Sequence, residues 1–129
     1  MDYLVQKART YIYTTAMPPA IALATCASLA LIEREDSRRS HLLSLIRDFR
    51  REASALGYEL MPSRTPIQPI MVGDNWTALA LSRALEQKGL MVTAIRPPTV
   101  PEGEARLRVT FSAAHSKADL ENLLTALAE

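Results

Sequence analysis

The sequence predicts an α/β protein, a small α+β domain in which a short mixed sheet carries its helices on one face. The main observation is the order of elements after residue 66, where strand, helix and strand patterns precede a further strand and a terminal helix. A second observation is the strict polar and apolar alternation from Arg106 to Phe111, which is typical of a strand with one buried face. The 129 residues suffice for one compact core and are few for a complete cofactor-dependent enzyme.

The first part of the chain predicts two helices. Residues from Asp2 to Ile12 favour a short helix, and Pro19 is well placed as the first residue of the next one. From Pro19 to Ile32 this second helix has little polar surface, so we expect protein to cover it on most sides. It is therefore predicted to be buried and is a candidate for an interface with another subunit.

A third helix is predicted to begin at Asp36 or Ser37 and to end at Gly57. Its apolar residues recur at helical spacing, and these are Leu42, Leu45, Ile46, Phe49, Ala53 and Leu56. Five arginines line much of the remainder, with Asp48 and Glu52 between them. Interleaved charges without an aromatic platform are typical of a solvated helix face.

The second part of the chain alternates between strand and helix patterns. Ile67 to Val72 predicts a strand, Asn75 to Lys88 an amphipathic helix, and Met91 to Ile95 a second strand. After the strand that ends at Phe111, Ser116 and Asp119 form a plausible helix cap. The terminal helix that follows has an apolar stripe of Leu120, Leu123, Leu124 and Leu127.

Charge and hydropathy exclude two classes of partner. The 15 basic and 14 acidic residues give a net charge of +1, which does not support a nucleic-acid surface. The apolar run from Pro18 to Ile32 is shorter than the about 20 residues that a membrane helix needs. Asp2 opens the chain, and charged residues from Glu33 to Asp36 follow the run in place of a small-residue cleavage site, so no secretory signal is predicted. We therefore expect neither nucleic acid nor a membrane as partner, and a cytoplasmic location.

The residue types alone offer no nucleophile and no metal site. Cys26 is the only cysteine, which leaves no metal-binding spacing, and within an apolar helix it is predicted to be a small buried hydrophobic residue. His41 and His115 have no partner at a recognisable spacing and are predicted to be structural or capping residues. Lys7, Lys88 and Lys117 fall at polar helical positions, where a solvated charge is expected.

The segment from Thr93 to Arg108 is the most distinctive part of the sequence. It is T-A-I-R-P-P-T-V-P-E-G-E-A-R-L-R, a proline-rich loop that leads into a strand with Arg106 and Arg108 on the same side. The prolines restrict the backbone and can hold a binding loop in place. The residues alone favour a surface loop that needs stiffness, and half of a substrate site is the other interpretation.

Four segments together resemble a known enzyme family. They are Y-I-Y-T-T-A-M-P-P from Tyr11, Q-P-I-M-V-G-D-N from Gln68, the proline segment, and S-A-A-H from Ser112. In this order they resemble the C-terminal part of the α-oxoamine synthases, which are pyridoxal phosphate (PLP) enzymes of fold type I, in the aspartate aminotransferase superfamily. The resemblance covers essentially the whole chain. The R-P-P-T-V-P loop favours the biotin-pathway member over the glycine C-acetyltransferases.

The resemblance implies a reaction and two substrate-binding residues. The implied enzyme uses PLP to condense L-alanine with a pimeloyl thioester, carried on coenzyme A or on a carrier protein, and releases carbon dioxide. Arg108 corresponds to the family arginine that holds the substrate carboxylate, and Thr99 to the substrate-contacting threonine of the proline loop. Arg106, on the same side of the strand, is expected to have a supporting or structural role.

The resemblance also implies a homodimer. Thr14 and Thr15 correspond to the family position that reaches the cofactor phosphate of the neighbouring subunit, and the resemblance does not distinguish which is the main contact. The alternative is that these threonines terminate the first helix and cap the second.

The chain departs from the family pattern at the catalytic residue. The family's Schiff-base lysine and the groups around the cofactor ring precede the Y-T-T-A-M-P-P element, so we expect them to be absent. On this reading residues 1–35 are connecting helices from the missing PLP-binding large domain, and residues 36–129 are the C-terminal small domain. We therefore expect no catalysis by the chain alone.

The start at Met1 has three explanations that remain open, namely truncation, a late start codon and a split gene. Alternative functions are a non-catalytic module that pairs with a lysine-bearing chain, a carboxylate-binding domain, or a fragment of another α-oxoamine synthase such as glycine C-acetyltransferase.

Overall fold

The computed structural model describes residues 2–129, which contain five helices and three strands. They divide into two compact units, the first extending to Asp36 and the second comprising Ser37–Glu129. None of the helices in residues 2–129 is long and apolar enough to cross a membrane. In chain order the elements are α1 (Asp2–Lys7), α2 (Pro19–Arg34), α3 (Asp36–Ala55), β1 (Ile67–Gly73), α4 (Asn75–Gln87), β2 (Thr93–Ile95), β3 (Ala105–Thr110) and α5 (Lys117–Ala128).

The first unit consists of α1 and α2 joined by a turn. The predicted helix to Ile12 is too long, since α1 ends at Lys7 and the backbone N–H groups of Tyr11 and Ile12 both donate to the carbonyl of Ala8. α2 begins at Pro19 as predicted, because the ring fixes φ and the missing N–H has no partner in a first turn.

The predicted burial of α2 is wrong for the described chain, because no residue of α2 is buried. Cys26, which was predicted to be buried, is a free and exposed cysteine for the same reason. Large apolar side chains are exposed along the helix, and these are Ile21, Leu23, Leu29, Leu31 and Ile32.

The helices of the second unit begin at specific caps. The carboxylate of Asp74 accepts from the backbone N–H of Thr77 at 2.7 Å and starts α4. Ser116 and Asp119 form the predicted reciprocal capping box at the start of α5.

The sheet has the strand order β1-β3-β2, and both strand pairs are antiparallel. The sheet is therefore small, as predicted, but it is not mixed. The cause is topological. The crossover from β1 through α4 to β2 leaves a gap of one strand, and β3 returns through a loop over residues 96–104 to fill it. Each outer strand consequently pairs with β3, which runs opposite to both.

A single hydrophobic core lies on one face of this sheet. Leu107 and Val109 of β3 are buried there, as their alternation predicts, together with Ile70 of β1. The ring of Phe49 in α3 lies 5.1 Å from the ring of Phe111, which directly follows β3. Helices α3, α4 and α5 all contribute buried residues to this core.

Candidate functional site

The face of the sheet opposite the core carries both arginines of β3. Arg108 is paired in register with Thr93 of β2 and Pro69 of β1, while Arg106 is paired with Ile95 and Met71. Directly paired residues share a face of an antiparallel sheet. This face, which we call the arginine face, therefore consists of Ile67, Pro69, Met71, Thr93, Ile95, Arg106, Arg108 and Thr110.

Arg106 is occupied by contacts within the chain. Its Nε donates to the carbonyl of Glu104 at 3.0 Å, and its Nη2 donates to the Glu104 carboxylate at 3.0 Å. Its Nη1 lies 2.9 Å from Met61 Sδ, and its side chain is 15% exposed. These contacts fix the guanidinium and support the structural role that the sequence predicted.

Arg108 is exposed, and its side chain has no hydrogen bond or ion pair with any of residues 2–129. Its backbone lies in the central strand, where neighbours on both sides hold it. A guanidinium offers five N–H donors in a planar fork that matches the two oxygens of a carboxylate. Arg108 therefore presents a free cationic fork from a fixed backbone position.

The proline loop over residues 96–104 connects β2 with β3. It contains a cis peptide bond between Pro97 and Pro98, and the N–H of Thr99 donates to the carbonyl of Arg96 at 2.9 Å. The Thr99 side chain is exposed. The structure thus places Thr99 and Arg108 in one β2–β3 hairpin, and no hydrogen bond within residues 2–129 joins them.

A cleft beside this loop was not anticipated from the sequence. It has a volume of about 530 Å³, and its lining includes Asp74, Trp76, Pro97 and Glu102. Two hydrogen bonds from Thr77 lower the pKa of Asp74, and the bond from its backbone N–H has a larger effect than the bond from its hydroxyl. The signal available in the sequence is the Q-P-I-M-V-G-D-N segment, which contributes Asp74 to this lining.

Thr14 and Thr15 lie in the first unit, and both are exposed. The hydroxyl of Thr14 donates to the carbonyl of Thr10 at 3.1 Å, whereas the Thr15 hydroxyl has no partner in residues 2–129. Neither residue caps α2, because the N-cap position is Pro18 and no side chain closes that end. The capping alternative is therefore wrong for α2.

The start of α2 suits an anion such as a phosphate group. Its first turn contains no acidic residue, and no side chain caps it. Pro19 has no N–H, and Ile21 and Ala22 donate to the Pro18 carbonyl, so within residues 2–129 the Ala20 N–H is the open donor at this end. Free N–H groups and the helix dipole both favour negative charge at such an end. Threonine hydroxyls nearby can donate further hydrogen bonds to the same group.

The two histidines hold the turn before α5. His41 Nε2 donates to the carbonyl of His115 at 2.8 Å, and His115 Nδ1 accepts from the Ser112 N–H at 3.1 Å. Their predicted structural role is confirmed. Within residues 2–129 no group of three or more His, Cys, Asp or Glu residues is placed to hold a metal ion.

The sequence profile of the family described as Aminotransferase class I and II matches residues 1–127. The chain belongs to the class I and II aminotransferase family. This aminotransferase-family chain is 76% identical over all of its 129 residues to 8-amino-7-oxononanoate synthase of Marinobacter nauticus, and covers 33% of that protein. It is 63% identical to the enzyme of the same name from Pseudomonas putida, again over 129 residues and 33% of the relative. The chain thus spans about a third of the length of the curated relatives it matches.

Solved structures agree with this placement. The aminotransferase-family chain superposes on Sphingomonas wittichii serine palmitoyltransferase with a TM-score of 0.90 and 27% identity, over 98% of this chain and 32% of that one. Against 8-amino-7-oxononanoate synthase of Francisella tularensis the TM-score is 0.83 with 30% identity, over 98% of this chain and 37% of that one. The predicted fold, a small α/β domain of the type I PLP enzymes, is confirmed.

Proposed function

We propose that this chain supplies the C-terminal part of an 8-amino-7-oxononanoate synthase. That enzyme condenses L-alanine with a pimeloyl thioester and releases carbon dioxide in biotin biosynthesis. The observation that carries the proposal is that the Arg108 side chain on the arginine face has no partner within residues 2–129, in a chain that is 76% identical throughout to a synthase of this name. Residues 1–35 then serve as connecting helices and residues 36–129 as the small domain.

Arg108 binds the carboxylate of the amino-acid substrate in this proposal. Its fork donates to both carboxylate oxygens, and the ordered strand beneath it limits the entropy lost on binding. The neighbouring Arg106 is paired with Glu104, so among residues 2–129 the free positive charge on the arginine face is that of Arg108. A lysine at this position would offer a point charge without the planar fork.

Thr99 contacts the substrate from the proline loop. Its hydroxyl can donate to a substrate oxygen, and the turn bond from its N–H to Arg96 holds its backbone. Because the loop is anchored in β2 and β3, Thr99 and Arg108 approach the substrate from one supporting hairpin.

The cofactor of the complete enzyme is PLP, which supplies an electron sink for bond changes at the substrate α-carbon. In our proposal the hydroxyls of Thr14 and Thr15, with the open Ala20 N–H at the start of α2, hold its phosphate in the neighbouring subunit. Thr15 is the principal contact, because the Thr14 hydroxyl already donates to Thr10. This arrangement requires a homodimer, and the exposed apolar residues of α2 suit burial against protein.

The chain alone does not catalyse the reaction in this proposal. Lys7 and Lys117 are exposed, and Lys88 is exposed and ion-paired with Glu129. None of the three has the buried setting in which a lysine amine is desolvated for covalent chemistry. The Schiff-base lysine comes from the remainder of the synthase, which acts in the cytoplasm.

Growth of a biotin-requiring bacterium tests the proposal. A hybrid synthase is built in which this chain replaces the matching third of the Marinobacter nauticus relative. We expect the hybrid to restore growth without biotin in a strain that lacks its own synthase, and the chain alone to fail. A soluble, PLP-loaded hybrid that does not restore growth would refute the proposal, and the intact relative is the positive control.

A further inference from the structure

A short edge segment extends the sheet beyond β1. Leu60 forms an isolated antiparallel bridge with Ile70, and the Met71 N–H donates to the Glu59 carbonyl at 2.8 Å. On the other side of the bridge the Met61 N–H donates to the Pro69 carbonyl at 3.2 Å. Met61 and Pro69 therefore occupy a position at which two residues normally exchange both of their backbone hydrogen bonds.

Pro69 cannot complete this exchange, because proline has no backbone N–H. The carbonyl of Met61 consequently lacks the donor that any other residue at position 69 would provide. An unpaired carbonyl in partly buried surroundings is unfavourable, and such groups generally find another donor.

The guanidinium of Arg50 in α3 provides that donor. Its Nη1 lies 3.1 Å from the Met61 carbonyl and 2.7 Å from Gln68 Oε1. Gln68 is 0% exposed, and its Nε2 donates to the Thr65 carbonyl at 2.7 Å. Arg50 thus replaces the missing ladder bond and also satisfies a buried amide.

The hydrogen bond from Arg50 to the Met61 carbonyl is linked to both arginines of the arginine face. Met61, whose carbonyl Arg50 holds, contacts Arg106 through its Sδ at 2.9 Å. Pro69, which receives the other Met61 bond, is the register partner of Arg108. The edge segment and the β1 position opposite Arg108 therefore depend on the same guanidinium.

We propose that Arg50 is a positioning residue that fixes the Met61 edge and β1 so that Arg108 meets the substrate carboxylate in the correct orientation. The inference rests on the proposed function for the role of Arg108. The finding that Arg50 supplies the hydrogen bond that Pro69 cannot donate is independent of the proposed function.

A double-mutant cycle in the hybrid synthase tests the inference. We expect Arg50→Met to raise the KM for L-alanine about tenfold, with a smaller change in kcat per PLP-loaded site. Arg47→Met, on the same helix at an exposed position without a partner in residues 2–129, should leave both constants unchanged. A purely structural role would reduce the yield of loaded enzyme and leave the KM unchanged.

Restoring the missing N–H is the specific part of the test. Pro69→Ala provides a backbone donor for the Met61 carbonyl. Adding it to Arg50→Met should therefore lower the raised KM by about threefold or more. A KM for Arg50→Met within twofold of the parent, or strictly multiplicative effects of the two substitutions, would overturn the proposal. If Arg50→Met does not fold, Arg50→Lys replaces it in the same cycle, because it keeps the positive charge but replaces the planar guanidinium by an ammonium group with three donors.

Thermal unfolding of the same variants separates this inference from the proposed function. The two substitutions should be coupled in the unfolding midpoint even if the parent hybrid has no activity, because the hydrogen-bond replacement is independent of catalysis. An inactive parent with coupled midpoints would refute the proposed function alone. Uncoupled midpoints would refute the inference.

Discussion

Arg106 and Arg108 lie two residues apart on the same face of β3, and within residues 2–129 only the Arg106 side chain has a hydrogen bond or ion pair. The carboxylate of Glu104 and the sulfur of Met61 occupy the guanidinium of Arg106. Strand alternation places both arginines on the same face, so it does not distinguish them. Their different contacts within the chain determine which guanidinium is available to a ligand.

Substitution of Arg108 should impair substrate binding specifically. We expect Arg108→Ala in the hybrid synthase to lower kcat/KM for L-alanine by about a hundredfold or more, because a bidentate ion pair is lost. Arg108→Lys should recover only part of this loss. Steady-state kinetics with varied L-alanine measures both. Arg83→Ala, at an exposed position of α4, is the matched control, and an equal loss there would argue against a specific role for Arg108.

The two threonines before α2 should differ in their effect on cofactor binding. We expect Thr15→Val to weaken PLP binding by the hybrid more than Thr14→Val, because only the Thr14 hydroxyl is occupied, by the Thr10 carbonyl. Fluorescence titration of the cofactor-free enzyme with PLP gives the dissociation constants. Thr25→Val serves as the control, since its exposed hydroxyl donates to Ile21 within α2. Unchanged affinity in both Thr14→Val and Thr15→Val would contradict the assignment.

The aromatic pair at the centre of the core should dominate the stability of the second unit. Phe49 is fully buried and its ring contacts that of Phe111, so we expect Phe49→Ala to cost about 3–5 kcal/mol in the free energy of unfolding. Leu43→Ala, on the same helix at an exposed position, should change it by about 0.5 kcal/mol or less. Denaturant titration of residues 37–129 or of the hybrid compares the two, and equal losses would show that the pair does not anchor the core.

Acid should weaken the caps of α4 and α5. The Ser116 N–H and hydroxyl lower the pKa of Asp119, and the Thr77 N–H and hydroxyl lower that of Asp74, in each case below the ordinary 3.8. A lowered folded pKa stabilises the fold above the unfolded pKa, and this contribution disappears as the pH falls through the folded value. The unfolding midpoint should therefore decrease below about pH 4, and less steeply in Asp119→Asn. An Asp119→Asn variant with the same acid dependence as the parent would contradict this account.

The elements of the second unit could be predicted because their local signals agree with the fold. The alternation around Leu107 and Val109 predicts the buried face of β3, and Ser116 with Asp119 predicts the start of α5. Sheet pairing could not be predicted in the same way. The insertion of β3 between β1 and β2 depends on tertiary packing. The prediction of a mixed sheet is therefore wrong.

Burial of α2 could not be predicted from its composition. Apolar periodicity indicates that a helix needs a cover and does not say which polypeptide provides it, so Cys26 and its neighbours are exposed here. The sequence also could not predict the partners of Arg106 or the donor that Arg50 supplies in place of the missing Pro69 N–H. Glu104, Met61 and Arg50 make these contacts only in the folded chain.

The rate of product formation by the purified hybrid synthase tests the central claim most directly. With L-alanine and pimeloyl-coenzyme A, mass spectrometry should detect 8-amino-7-oxononanoate at a rate near that of the Marinobacter nauticus relative, and Arg108→Ala should abolish most of it. A folded, PLP-loaded hybrid that forms no such product, or that reacts faster with glycine and acetyl-coenzyme A, would contradict the account.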